Sequence, residues 1–165
     1  MFKKNTSSVS QVSSVETVLL ITLLRQVLSQ DTKGDVVELG CYKGDTSVLF
    51  QRELRRTEKH LWLYDSFAGL PEKTREDNSV AGDQFKSGEL FVTKREVIEK
   101  FKRQNLILPK IKKAFFEDLN PETDLPAKIC FAFLDGDLYT SIKTSLFLVQ
   151  DKMQPGGIIV IHDYN

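Results

Sequence analysis

Ile129-Cys130-Phe131-Ala132-Phe133-Leu134-Asp135 is the stretch that decides the fold. Six apolar residues follow one another without polar alternation, and the run ends abruptly on an acid. A strand covered on both faces reads this way, because neither set of side chains meets water. The run is far too short to be a membrane helix. Working toward the C-terminus, Thr140 to Gln150 reads as a helix, Pro155-Gly156-Gly157 as a turn, and Ile158 to Ile161 as a further strand.

Working toward the N-terminus, the same alternation recurs. Leu61 to Asp65 and Val36 to Gly40 read as short buried strands, and Ile111 to Phe116 as a weaker one. Between them, Ser47 to Arg56 reads as a helix with Thr46 as its cap. Thr93-Lys94-Arg95-Glu96 fits a capping box, with Val97, Ile98 and Phe101 as the apolar face behind it. Ahead of the first strand, Val15, Val18, Leu19, Leu23, Val27 and Leu28 form a stripe at helical spacing. Strands alternating with helices predict an α/β fold, a doubly wound parallel sheet of five strands. Residues 1–12 are expected to be a flexible arm and residues 13–165 a single domain.

The 165 residues suit one domain with a proper core. Lys plus Arg and Asp plus Glu each number 23, so the formal charge is zero. This argues against a nucleic-acid binder or a polybasic membrane protein, both of which need a charge excess. The N-terminus has no apolar stretch behind its lysines, so no signal peptide is expected. Two cysteines in apolar contexts, Cys41 and Cys130, read as reduced thiols of a cytoplasmic protein rather than a disulfide framework.

Function is expected where the polar groups collect, outside the carboxyl ends of the strands. Glu38-Leu39-Gly40-Cys41-Tyr42-Lys43-Gly44 places two glycines between a strand and a helix, a turn that lets the backbone approach a ligand. It is neither a G-x-G-x-x-G fingerprint nor a P-loop, and a plain glycine turn is an equal reading of it alone. The missing fingerprint ranks a nicotinamide dehydrogenase last. Asp65 ends the next strand at about the separation from the glycine turn at which an acid accepts hydrogen bonds from a ribose. Asp135 and Asp137 end the fourth strand, and His162 and Asp163 the fifth. Carboxylates at neighbouring strand ends can share one Mg²⁺. Asp137 reads equally well as a helix cap, and His162 as a structural histidine, because imidazole does not suit Mg²⁺. His60 is assigned no role. The polar stretch Leu70 to Gly88 reads as a lid.

Five motifs in order, E-L-G-C-Y-K-G-D-T-S, L-Y-D-S-F-A-G-L-P, A-F-F-E-D-L, F-L-D-G-D-L-Y-T-S and P-G-G-I-I-V-I-H-D-Y, resemble the macrocin O-methyltransferase (TylF-type) family. The resemblance runs from about Gly34 to Tyr164. It implies a Rossmann-like sheet of class I methyltransferase type, strand order 3-2-1-4-5, with the family's strands 6 and 7 missing here. It implies S-adenosylmethionine as cofactor, held by Glu38, Gly40, Tyr42, Gly44, Thr46, Asp65, Ser66, Phe116, Glu117 and Asp135. Glu38 and Gly40 would line the methionine end, Asp65 would bind the ribose, and Phe116 and Glu117 would lie near the adenine. Asp135 would be the catalytic base and a ligand of Mg²⁺, with Asp163 completing the metal site and His162 beside it.

The expected reaction is methyl transfer to a hydroxyl of a small molecule, a sugar or glycosylated natural product; a homo-oligomer is compatible with it. A non-catalytic or truncated cofactor-binding module is the alternative. Two local departures bear on it. His162 stands where the family has an aspartate, and Asp45 stands where it has a small residue, close enough to repel the cofactor's carboxylate.

Overall fold

The structure is a computed structural model and describes residues 12–77 and 86–162. The expected N-terminal arm, the middle of the expected lid and Asp163 lie outside the described residues, save Val12 in the arm.

Five strands form the sheet: β1 Asp35–Leu39, β2 Leu61–Asp65, β3 Lys110–Lys113, β4 Ile129–Leu134 and β5 Met153–Ile161. All pair in parallel, in the order β3-β2-β1-β4-β5, as expected. Because side chains alternate across a strand, the apolar runs feed two separate cores. Val36, Leu61, Leu63, Phe131 and Phe133 face one side. They pack there with Leu20, Leu24 and Val27 of α1 (Ser14–Ser29), Val48, Phe50 and Leu54 of α2 (Asp45–Leu54), and Val97 and Phe101 of α3 (Lys94–Arg103). Val37, Leu39, Tyr64, Ala132 and Leu134 face the other side. There they meet Leu119, Leu125, and Leu148 and Val149 of α5 (Tyr139–Gln150), with the short α4 (Pro121–Asp124) nearby. Phe50 packs edge-on against both Phe131 and Phe133, with centroids 5.6 and 6.0 Å away.

The elements depart from the sequence reading in five places. In α1 the buried stripe is Leu20, Leu24 and Val27, while Val15, Val18 and Leu19 are 78%, 66% and 55% exposed. Apolar spacing marks a helix but does not say which of two overlapping stripes finds a partner. Helix α2 begins at Asp45, and its N-cap is Gly44 at φ 73°, so Thr46 lies inside the helix and does not cap it. Strand β3 starts and ends earlier than expected. The chain leaves the sheet after Ala114 and bends into a 3₁₀ turn over Phe116–Asp118. Asp137 does not cap α5, whose N-cap is Leu138.

The fifth departure is at Pro155-Gly156-Gly157, which lies within β5. There Ile129 pairs with Met153 but Phe131 with Ile158, so extra residues bulge out of register. β5 is last in the sheet order, with no described strand beyond it. A proline and a bulge cost little there, because no ladder is broken on that side.

Candidate active site

The carboxyl ends of β1, β2 and β4 open onto a cleft of about 570 Å³, partly continuous with solvent. Its floor is the Gly40 turn. Gly40 donates to the Tyr64 carbonyl at 2.9 Å, while Asp135 donates to the Leu39 carbonyl at 2.8 Å. The turn is therefore wedged between the two neighbouring strand ends. Gly40 has φ 90°, and a Cβ there would overlap the Asp135 carbonyl, so conformation and space both demand glycine.

Asp65, at the end of β2, organises this turn. Its Oδ2 accepts from the Cys41 and Tyr42 amides at 3.1 and 2.9 Å, and its Oδ1 from the Phe67 amide at 2.8 Å. Three of a carboxylate's roughly four lone-pair sites are thus occupied. Burial pushes the Asp65 carboxyl up, and these amides offset part of that. The local backbone is strained: Tyr42, Phe67 and Asp137 all have positive φ without being glycine. Such strain persists where surrounding structure over-determines it, and it clusters at functional sites.

Of the residues expected to bind a cofactor, Gly40, Tyr42, Asp65, Ser66, Phe116, Glu117 and Asp135 line the cleft. Glu38, Gly44 and Thr46 do not. Glu38 faces the α2 side of β1, is 1% exposed, and accepts from Ser47 Oγ at 2.5 Å. Burial pushes its carboxyl up to about 8, against the pull of the Ser47 bond. It stands behind the turn as a neutral tie between β1 and α2. Asp45 is not among the lining residues and pairs with Lys100 Nζ of α3 at 2.7 Å. Burial also raises the Cys41 thiol well above its ordinary value.

Sequence reasoning missed part of the wall. Leu70, Pro71, Leu90, Ala114, Phe115, Gly136 and Ser141 also line the cleft. Phe115 and Ser141 sit inside quoted motifs, A-F-F-E-D-L and L-Y-T-S, so a signal existed for them. Leu90 carries none. It arrives because Leu70 donates to the Glu89 carbonyl and Gly88 to the Leu70 carbonyl, at 2.8 and 2.9 Å, clamping the stems of the long excursion. One stem reaches further. Asp77 accepts from the Thr140 amide at 3.4 Å, and Thr74 Oγ1 lies 2.9 Å from Thr140 Oγ1, so the excursion caps α5.

Asp65, Glu117, Asp135 and Asp137 give the lining four carboxyl groups, with no Lys or Arg among the described lining residues. Such a cleft favours a ligand that brings positive charge of its own. Asp163, the expected partner of Asp135 at a divalent cation, lies outside the described residues. Among the described residues no group of three or more His, Cys, Asp and Glu side chains is arranged to hold one. At Asp135, moreover, Oδ1 is in contact with His162 Nδ1 at 2.9 Å.

The family model for macrocin-O-methyltransferase (TylF) matches residues 16–165. The chain is 30% identical over 146 residues to the 8-demethyl-8-(2,3-dimethoxy-alpha-L-rhamnosyl)-tetracenomycin-C 4'-O-methyltransferase of Streptomyces olivaceus, covering 84% of this chain and 56% of that protein. It is 26% identical over 151 residues to the demethyldecarbamoylnovobiocin O-methyltransferase of Streptomyces niveus, covering 86% of this chain and again 56% of the relative. The chain thus spans little more than half the length of these relatives. Among solved structures, the O-methyltransferase NovP superposes with a TM-score of 0.77 at 25% identity, over 90% of this chain and 64% of that one. The calicheamicin methyltransferase CalS11 gives 0.73 at 20% identity, over 91% and 65%, which speaks for the fold. With a family match across nearly all of its length, the chain belongs to the macrocin-O-methyltransferase (TylF) family.

Proposed function

We propose that the chain is the cofactor-binding part of an S-adenosylmethionine-dependent O-methyltransferase that acts on a hydroxyl of a small glycosylated molecule. The observation that carries this is the cleft itself. A carboxylate-lined pocket, with no Lys or Arg among its described lining residues, lies over a glycine turn that Asp65 holds through backbone amides. The relatives, O-methyltransferases named for tetracenomycin and novobiocin derivatives, supply the substrate class.

S-adenosylmethionine, when bound, supplies an activated methyl group on a sulfonium. The chain's own residues bind, orient and take a proton. Asp65 would accept from a ribose hydroxyl, and Phe116 would cover the base. The acidic lining favours the positive donor. Asp135, beside the Gly40 turn, would accept the proton of the acceptor hydroxyl as its oxygen bonds to the methyl carbon and the carbon–sulfur bond breaks. That transfer leaves a neutral thioether, a methyl ether and a protonated carboxyl. No step in this reading runs through Mg²⁺; among the described residues no group of three or more His, Cys, Asp and Glu side chains is arranged to hold it. Two buried, unpaired thiols, Cys41 and Cys130, support a cytoplasmic setting.

Calorimetry with S-adenosylhomocysteine and its 2'- and 3'-deoxy analogues tests the reading without disturbing the turn. If Asp65 accepts from the ribose, at least one of the two deletions should cost about 1.5–3 kcal/mol, roughly 10- to 150-fold. No binding of the parent ligand, or equal binding of all three, would remove the ribose from Asp65. The alternative is a cofactor-binding module without turnover. Cofactor binding without methyl transfer to any glycosylated acceptor would select it.

A further inference from the structure

We propose that Ser141 fixes the base end of the cofactor by donating a hydrogen bond to a ring nitrogen of its purine. The inference rests on the S-adenosylmethionine reading and deepens it.

Ser141 lies in the first turn of α5 and is 7% exposed, yet it lines the cleft. Its hydroxyl makes no hydrogen bond with a described residue, and its oxygen is not sealed off from the cleft. Ser145, one turn further along the same face, is satisfied locally, because its Oγ donates to the Ile142 carbonyl at 2.8 Å. A serine at the start of a helix ordinarily turns its hydroxyl to the nearby backbone. Here Asp77 answers the free amides from outside α5, accepting from Tyr139 and Thr140. Ser141 is thus a buried hydroxyl with no structural bond among the described residues, an arrangement that costs stability unless a ligand supplies the partner.

The rest of the lining indicates which partner. Asp65, Glu117, Asp135 and Asp137 accept hydrogen bonds when ionised and cannot donate. Among the described lining residues the neutral side-chain donors are Tyr42, Ser66 and Ser141. Ser66 Oγ donates to the Gly69 carbonyl at 2.7 Å, and Tyr42 belongs to the Gly40 turn, where Asp65 holds its amide. Ser141 instead sits beside Phe116. A Cβ built on Gly136 would lie 2.8 Å from Ser141 Cβ and 3.2 Å from Phe116 Cε2, so the hydroxymethyl group and the ring are neighbours across that glycine. A purine covered by the Phe116 ring carries ring nitrogens that are acceptors only, which no carboxylate can answer. The Ser141 hydroxyl can answer one of them.

Calorimetry with S-adenosylhomocysteine and its 1-deaza, 3-deaza and 7-deaza analogues, on the parent and on Ser141→Ala, tests this. Ser141→Ala should bind S-adenosylhomocysteine about tenfold more weakly, because a base nitrogen is left without its donor. One of the three analogues should bind the parent about tenfold more weakly than S-adenosylhomocysteine does, and that analogue alone should bind parent and variant within about twofold of each other. Urea unfolding of the two free proteins gives a readout that a structural serine would move the other way. Removing a buried hydroxyl that has no partner should leave stability unchanged or raised, whereas a serine that held α5 would lose stability and keep affinity. Unchanged affinity for S-adenosylhomocysteine in Ser141→Ala, or an equal loss on mutation for all three analogues, would overturn the proposal. Should the variant not fold, undiminished binding of all three analogues by the parent would overturn it as well. Failure of the parent to bind S-adenosylhomocysteine would remove the cofactor reading first, and this inference with it.

Discussion

Replacing Glu38 by glutamine should abolish a pH dependence of stability that the fold builds in. Glu38 lies under α2, opposite Phe133 and Leu63 in the strand ladder, where desolvation outweighs the Ser47 hydrogen bond and raises its carboxyl from 4.5 to about 8. Between those values the unfolded chain has released the proton and the folded chain still holds it. The folded state binds more protons there, so stability falls as pH rises. Each pKa unit is worth about 1.36 kcal/mol, so the loss between about pH 5 and about pH 8 is roughly 3–4 kcal/mol from this group. Glutamine is neutral in both states, and its carbonyl can still accept from Ser47. Urea unfolding of both proteins across that range isolates the effect, because the other titrating groups contribute equally to each. The parent curve should descend relative to the variant by that amount, with similar m-values. Parallel curves would mean that Glu38 is ionised in the folded protein and that the neutral tie between β1 and α2 is wrong.

Gly40→Ala should be destabilised by at least ~2 kcal/mol and lose cofactor affinity together with stability, since its Cβ would push on the Asp135 carbonyl from a positive-φ position. A well-folded variant with parental affinity by calorimetry would show that the turn has room. Asp77→Ala should cost about 1 kcal/mol, the scale of a helix cap, and speed amide exchange at Tyr139–Ser141. Although burial alone would raise the Asp77 carboxyl, bonds from Thr74 and the amino end of α5 hold it below the usual range. Its contribution should therefore be present near neutrality and fade as pH falls through the folded-state value; unchanged exchange in the variant would remove the cap.

Much of the architecture was legible because it is written in short periods. The apolar run of β4, the acid at its end, and the recurrence of strand, polar turn and helix were enough for a parallel sheet. The glycine turn and Asp65 were legible because each sits directly at a strand end, and chain direction brings all such ends to one edge. The five-motif resemblance supplied the strand order, the cofactor and a residue set whose larger part does line the cleft. What the sequence could not contain is anything set by partners distant in the chain. The stripe of α1 that is buried depends on how the helix sits on the sheet. Two of the three amides on Asp65 come from the Cys41–Tyr42 turn, 24 and 23 residues away in the chain. Lys100 reaches Asp45 across two helices, Asp77 caps α5 from the far stem of an excursion, and Glu38 is neutral because α2 shuts water out. His162 shows the division most clearly. Its identity and its departure from the family pattern are plain in the sequence, but its contact with Asp135 exists only because β4 and β5 pair in parallel and end level. Local spacing encodes which elements form; long-range packing decides which side chains meet, and the chemistry of the site resides in those meetings.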